Sequence, residues 1–274
     1  MLSTILATLS RQLVSHSETP QLDAELLLAK ITQQTRTQLF AHPERILSPE
    51  EQQELSHAVK RRMTGEPMAY ILGHQEFWSL DMKVTSAVLI PRPETEMLVD
   101  WALKHLPNHK KQHIADLGTG SGAIAIALAH ECPRWMIAAT ENSEKALVIA
   151  KENAARHAVN TVTFYLGHWC DALPRRDYHA ILGNPPYIAE KDSHLPHLSF
   201  EPQSALVSGK EGLDAIKKII VTAKDYLCVG GYVVLEHGYD QSEKIFHLMK
   251  ENNYRDIKDY TDLAGLPRMI VGKK

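Results

Sequence analysis

Ile114-Ala115-Asp116-Leu117-Gly118-Thr119-Gly120-Ser121-Gly122-Ala123 decides how this chain folds. Ile114 to Leu117 is an apolar run of strand length, and Ala123 to Ala129 reads as the helix that follows it. The three alternating glycines between them let the backbone turn tightly and come close to a ligand. With Ala123 in the last position, the spacing fits the fingerprint of a nucleotide-like cofactor site in a doubly wound sheet. The loop alone does not say which cofactor.

Downstream, further strands are expected at Trp135 to Thr140, Val162 to Leu166, Tyr178 to Leu182, Tyr232 to Glu236, Tyr254 to Tyr260 and Met269 to Val271. Helices are expected at Glu144 to His157, Leu213 to Leu227 and Ser242 to Glu251. Strands that alternate with helices imply an α/β fold, a parallel sheet covered on both faces. The last two strands are joined by a loop too short for a parallel crossover, so the final strand should run antiparallel.

Upstream, Leu2, Ile5, Leu6, Leu9 and Leu13 recur at helical spacing. A second helix starts near Pro20 and carries Leu22, Leu26, Leu27 and Ile31. A third has Ser48 as N-cap, Pro49 at its first position and Glu51 three residues after the cap, and runs to about Met63 before Gly65. Residues 1–74 therefore read as a small helical bundle. Residues 75–90 read as a β-hairpin linker, with strands at Gln75 to Leu80 and Met82 to Val84. Residues 91–274 form the α/β domain, entered through the rigid loop Pro91-Arg92-Pro93-Glu94-Thr95-Glu96 and a helix ending near Leu106.

The 274 residues carry a formal net charge of −3, with 44% hydrophobic and 23% charged residues. That balance suits a globular chain with a sizeable core, and argues against affinity built on broad phosphate neutralisation. Cys132, Cys170 and Cys228 lie far apart with no Cys-x-x-Cys, which fits a thiol-reducing compartment. No apolar run reaches the about 20 residues of a membrane span, and the N-terminus lacks a secretory pattern. A cytoplasmic enzyme is the expectation.

Two further features select the chemistry. Glu141 ends the second strand about 20 residues beyond the loop, where a carboxylate can accept from both ribose hydroxyls. Asn184-Pro185-Pro186-Tyr187 ends the fourth strand of the α/β domain. Two consecutive prolines fix two φ angles and remove two donors. The result is a stiff corner in which the Asn184 oxygen and the Pro185 carbonyl can accept the two hydrogens of a flat –NH2 group while Tyr187 packs against it. A nicotinamide dinucleotide would need a site for a carbonyl or alcohol. This corner serves a nitrogen acceptor, so S-adenosylmethionine is the cofactor expected.

The combination resembles the Asn-Pro-Pro-Tyr class of S-adenosylmethionine-dependent amino methyltransferases. More closely, it is similar to the glutamine-N5 methyltransferases that modify peptide chain release factors. Gly65-Glu66-Pro67, Glu76-Phe77-Trp78-Ser79-Leu80, Leu89 to Glu96, Phe200-Glu201-Pro202 and Leu235-Glu236-His237-Gly238 add to the likeness, which spans nearly the whole chain. It implies a helical substrate-recognition domain, a hairpin linker and a seven-stranded methyltransferase domain. The implied activity is methyl transfer to the glutamine of a Gly-Gly-Gln motif in release factors, with no membrane or direct nucleic-acid partner and a monomeric enzyme. By the same resemblance, Gly118, Thr119, Gly120, Ser121 and Gly122 wrap the methionine part of the cofactor, Glu141 takes the ribose, and Trp169 lies beside the adenine. Asn184, Pro185, Pro186 and Tyr187 hold the substrate, with Asn184 also beside the cofactor. The chain departs from the family in having Glu141 where Asp is common and His168 where an acid is usual; Asp171 lies two residues beyond Trp169.

The nearest rival is a methyltransferase acting on an exocyclic amine of adenine or guanine, since the same corner suits a base. Base substrates demand flipping and basic recognition surface, which the composition does not favour. A non-catalytic cofactor-fold scaffold and a nicotinamide oxidoreductase rank lower. His194 and His197 sit three apart in a Pro-containing loop with no third ligand, so a solvated or substrate-facing loop is expected there in place of zinc. Lys60-Arg61-Arg62 reads as a solvated helix face. Arg92 reads either as a structural donor or as a partner contact.

Overall fold

The computed structural model describes all residues, 1–274. The chain divides into two compact units, Met1–His74 and Gln75–Lys274.

The first unit is helical: α1 (Leu2–Leu13), α2 (Pro20–Thr32), α3 (Arg36–Ala41), α4 (Pro49–Met63) and α5 (Met68–Leu72). Leu9, Leu13, Leu27, Leu28, Leu55 and Val59 share its core. The Ser48–Glu51 capping box forms as expected, and Thr35 with Gln38 makes a second one at the start of α3. The buried face of α2 differs from expectation. It carries Ala24, Leu27 and Leu28, while Leu22 is exposed and Leu26 and Ile31 are half-buried. The helix rotates this way because the buried Asp23 and Glu25 have cationic partners, Arg62 at 2.7 Å and Arg36. Arg62 is thus a structural ion-pair partner, and Arg61 pairs with Glu66 at 2.5 Å, so two of the three basic residues expected to be solvated are engaged.

The boundary falls within β1 (His74–Phe77), whose first residue closes the first unit, and β2 (Leu80–Lys83) follows in the second. The turn falls at Trp78 and Ser79, inside the run expected to be one strand. Both residues have positive φ, 52° and 58°, the signature of a tight hairpin turn usually made by Asn-Gly. Phe77, Leu80 and Met82 are buried in the core of this unit.

Then follow α6 (Glu96–His105), β3 (His113–Leu117), α7 (Ala123–Glu131), β4 (Met136–Glu141), α8 (Glu144–Arg156), β5 (Val162–Leu166), β6 (Tyr178–Gly183), α9 (Asp214–Tyr226), β7 (Leu227–Glu236), α10 (Ser242–Glu251), β8 (Arg255–Thr261) and β9 (Pro267–Lys273). The seven-stranded sheet has the order β5-β4-β3-β6-β7-β9-β8. β9 runs antiparallel to both of its neighbours. One face packs under α6 and α7 around Leu98, Ile126 and Trp135. The other packs under α9 and α10 around Ile216, Ile220 and Met249. β7 starts five residues earlier than Tyr232 because the Gly230-Gly231 pair is absorbed into the strand at a register shift opposite β6.

Asn153, on α8 and fully buried, links three segments. Its Nδ2 donates to the Lys83 carbonyl at 3.0 Å and to the Ser121 carbonyl at 2.8 Å, and its Oδ1 accepts from Lys83 N at 2.7 Å. Replacing Asn153 with Leu leaves these buried groups unpaired, and urea unfolding should show a loss of roughly 3 kcal/mol. An unchanged denaturation midpoint would contradict this clamp.

Candidate active site

The strand registers gather the site. Leu117 lies opposite Thr140 on one side and Gly183 on the other, and Gly183 lies opposite Leu235. Gly118, Glu141, Asn184 and Glu236 each follow that row by one residue, so all four emerge at the carboxyl edge of the sheet. In an open α/β sheet this edge is where ligands bind.

The glycine loop is held from below. Gly118 N and Thr119 N both donate to the Thr140 carbonyl at 2.9 Å. Gly118 has φ +69°, and a Cβ there would come within 2.8 Å of the Trp169 ring. Only glycine lets that ring lie so near the loop. At Gly120 (φ +57°) a Cβ would meet nothing nearer than the Gly118 carbonyl at 4.0 Å, so space opens above it. Thr119 and Ser121 turn inward instead. Thr119 Oγ1 donates to Asp116 Oδ2 at 2.6 Å, and Ser121 is buried with its carbonyl taken by Asn153. Gly122 caps α7 in a left-handed conformation, where a Cβ would strike Ile126.

Glu141 accepts from Gly120 N at 3.0 Å through Oε2 and from Ser143 N at 2.9 Å through Oε1. Its carboxylate is oriented by two backbone donors, and each oxygen keeps a lone pair for a further hydroxyl. Trp169 is half-buried with φ +45°. A left-handed bulky residue stores strain that the surroundings must hold in place. Asp171 is exposed, 3.4 Å from Lys218, and does not reach the cleft.

A cleft brings together Gly118, Gly120, Glu141, Trp169, Asn184 and Pro186. His168, Ser143, Leu89 and Ala205 complete parts of its wall. Thr119, Ser121, Gly122, Pro185 and Tyr187 do not line it. A second cleft is lined by Leu89, Arg92, Asn184, Tyr187, Ile188, Leu198, Ala205 and Leu206. Asn184 lines both.

At the proline corner, Asn184 Nδ2 donates to Thr95 Oγ1 at 3.0 Å, leaving Oδ1 without a partner in the chain. Tyr187 Oη donates to Glu236 Oε1 at 3.2 Å, and the Tyr187 carbonyl accepts from Gln241 Nε2 at 2.9 Å. Burial holds the Tyr187 hydroxyl well above the usual phenol range, so it stays a donor. Arg92 pairs with the buried Glu201, which also accepts from Ile90 N at 3.1 Å. Of the two readings of Arg92, the structural donor is the one seen. His237 is fully buried and its Nδ1 lies 2.8 Å from the Gly238 carbonyl.

Two acids at this edge were not singled out from sequence. Asp116 is fully buried, and its pKa is pushed up to about 7, first by burial and against the Thr119 hydroxyl. Glu236 is likewise pushed up to about 7 by burial, against hydrogen bonds from Thr95 and Tyr187. Strand-end acids carry no sequence mark of burial, so only the paired strands reveal them. Thr95, inside the Pro-rich loop, was missed for the same reason.

Comparisons with known proteins agree with this architecture. A sequence model of the PrmC N-terminal domain matches residues 4–73, and one of the methyltransferase small domain matches residues 95–199. The release factor glutamine methyltransferase of Coxiella burnetii is 59% identical over 266 residues, covering 97% of this chain and 96% of its own. The protein of that name from Pseudomonas aeruginosa is 42% identical over 274 residues, covering 99% of each. Among solved structures, a Pyrococcus furiosus methyltransferase aligns with TM-score 0.54 at 20% identity, over 80% of this chain and 98% of its own. The human Mettl16 catalytic domain aligns with TM-score 0.56 at 14% identity, over 82% of this chain and 80% of its own. At such identities the structural likeness shows the fold alone.

The buried Asp116 makes a pH prediction. Below pH about 4 the carboxyl is protonated in both folded and unfolded chains. As pH rises from about 4 to about 7 the unfolded chain releases a proton that the folded state retains, so folding stability declines across that window. Asp116→Asn removes this penalty. In urea titrations at a series of pH values, the variant should gain on the wild type between pH about 4 and about 7; a difference that is flat with pH would refute the assignment.

Proposed function

This chain belongs to the release factor glutamine methyltransferases, and from that membership we propose that it methylates the side-chain amide nitrogen of the glutamine in the Gly-Gly-Gln motif of peptide chain release factors. Bound S-adenosylmethionine supplies a methyl group made electrophilic by its sulfonium. The residues suit that cofactor. Glu141 offers acceptors for two vicinal hydroxyls, Gly118 and Gly120 allow close backbone approach, and Trp169 sets an aromatic wall for a flat heterocycle. Thr119, Ser121 and Gly122 act on the loop's shape from inside.

The observation that carries the reading is that Asn184 lines both clefts. The cleft that holds Glu141 and Trp169 takes the cofactor, and the one walled by Leu89, Ile188, Leu198 and Leu206 admits the glutamine side chain. Because Asn184 Nδ2 is committed to Thr95, its Oδ1 is the end offered to the acceptor. Oδ1 and the Pro185 carbonyl accept the two amide hydrogens, and the Tyr187 ring packs on the amide plane. An amide nitrogen is a poor nucleophile, so the enzyme contributes mostly orientation and acceptor dipoles that favour positive charge growing on nitrogen. The N-methylated amide cation is strongly acidic and passes its proton to solvent. A dedicated strong base is unnecessary.

The helical unit Met1–His74 is proposed to recognise the release factor, and the enzyme to act as a monomer without nucleic acid. The proposed substrate is a component of translation, so the proposed setting is the cytoplasm. No helix is long and apolar enough to cross a membrane.

Incubated with S-adenosylmethionine and a release factor, the enzyme should add the mass of one methyl group to the peptide containing Gly-Gly-Gln, and add none to DNA or RNA offered in parallel. Label found in nucleic acid alone would reverse the choice of substrate. Asn184→Ala should lower kcat roughly a hundredfold and change the cofactor Kd far less; equal losses in both would contradict the division of roles.

A further inference from the structure

Thr95 and Glu236 reach Asn184 from distant parts of the chain. Thr95 comes from the turn before α6, Asn184 from the end of β6 and Glu236 from the end of β7. A hydroxyl has one hydrogen to donate, an ionised carboxylate has none, and an amide has a donating end and an accepting end; Glu236 is ionised above pH about 7. Thr95 Oγ1 spends its hydrogen on Glu236 Oε2 at 2.7 Å. It can therefore meet Asn184 only as an acceptor, and Asn184 Nδ2 donates to it at 3.0 Å. Glu236 Oε1 accepts from Tyr187 Oη at 3.2 Å, so the same carboxylate sets the direction of both hydroxyls. Thr95 is 5% exposed and Glu236 1%, which leaves little room for water to reverse the chain of bonds.

We propose that Thr95 and Glu236 are positioning residues that dictate which end of the Asn184 amide faces the methyl acceptor. This rests on the methyl-transfer reading above. The acceptor presents an –NH2 group, so Asn184 must offer its oxygen. With the amide reversed, two donors would confront each other and the acceptor nitrogen would lose its alignment. Neither Thr95 nor Glu236 touches the reacting atoms; both act through Asn184 and, for Glu236, also through Tyr187.

The test compares Thr95→Val, which keeps the shape and removes the hydroxyl, with Thr95→Ser, which keeps the hydroxyl. With a release factor as substrate, the Val variant should lose roughly tenfold to a hundredfold in kcat, while the S-adenosylmethionine Kd from calorimetry stays within about twofold. The Ser variant should recover most of the turnover. Val and Ser variants equally impaired, or a Val variant with wild-type kcat, would overturn the proposal. A second readout needs no methylation at all. In nitrogen-resolved NMR spectra, the Asn184 side-chain protons should exchange slowly with water in the wild type and the Ser variant, and faster in the Val variant. Fast exchange already in the wild type would overturn the proposal even if the Val variant failed to fold. Should the wild type leave the release factor unmethylated while its Asn184 protons are protected, the substrate reading fails and the orientation stands.

Discussion

The parallel pairing of β3 with β4 on one side and β6 on the other is the constraint on which the rest depends. It aligns Leu117, Thr140 and Gly183 in one row, and β7 extends the row to Leu235. The next residue in each strand then emerges at the same edge. A slip of one residue would reverse the facing of every side chain in the slipped strand and would separate Glu141 or Asn184 from the glycine loop. Apolar side chains on both faces of the sheet resist such a slip, because the two cores under α6–α7 and α9–α10 are filled by alternate residues of the same strands.

On that edge the protein keeps its polar groups in fixed orientations. Glu141 is aimed by two backbone amides, Tyr187 by Gln241 and Glu236, and Asn184 by Thr95. The cost is carried by buried acids that would rather be neutral. Asp116 and Glu236 both sit where water cannot solvate a charge, and both are held near neutral pH instead of the ordinary carboxylate range. Such preorganisation suits a reaction whose difficulty lies in aligning a weak nucleophile, since no reorientation is then needed at the moment of transfer.

Much of this was legible in the residues. The glycine spacing pointed to a loop that does line a cleft at the carboxyl edge, the strand–helix alternation implied the sheet, and the short final connection implied the antiparallel last strand. Asn184 to Tyr187 stood out because paired prolines leave few alternatives to a rigid corner. What escaped reading had physical reasons. The hairpin turn at Trp78-Ser79 puts a tryptophan and a serine, neither of them Gly or Asn, in the left-handed region. The buried face of α2 was misjudged because three consecutive leucines fit more than one face, and ion pairs made with α3 and α4 chose among them. Thr95, Glu236 and Asp116 are ordinary polar residues until strands distant in sequence are brought together. The inward turn of Thr119 and Ser121 likewise follows from loop geometry that spacing does not encode.

The account stands most directly on where the acceptor nitrogen lies. A crystal structure of the enzyme with demethylated cofactor and a Gly-Gly-Gln peptide should place the glutamine amide nitrogen within hydrogen-bond distance of both Asn184 Oδ1 and the Pro185 carbonyl, on the side of Asn184 away from Glu141. A glutamine side chain bound elsewhere, or an Asn184 amide turned with Nδ2 toward the peptide, would contradict it.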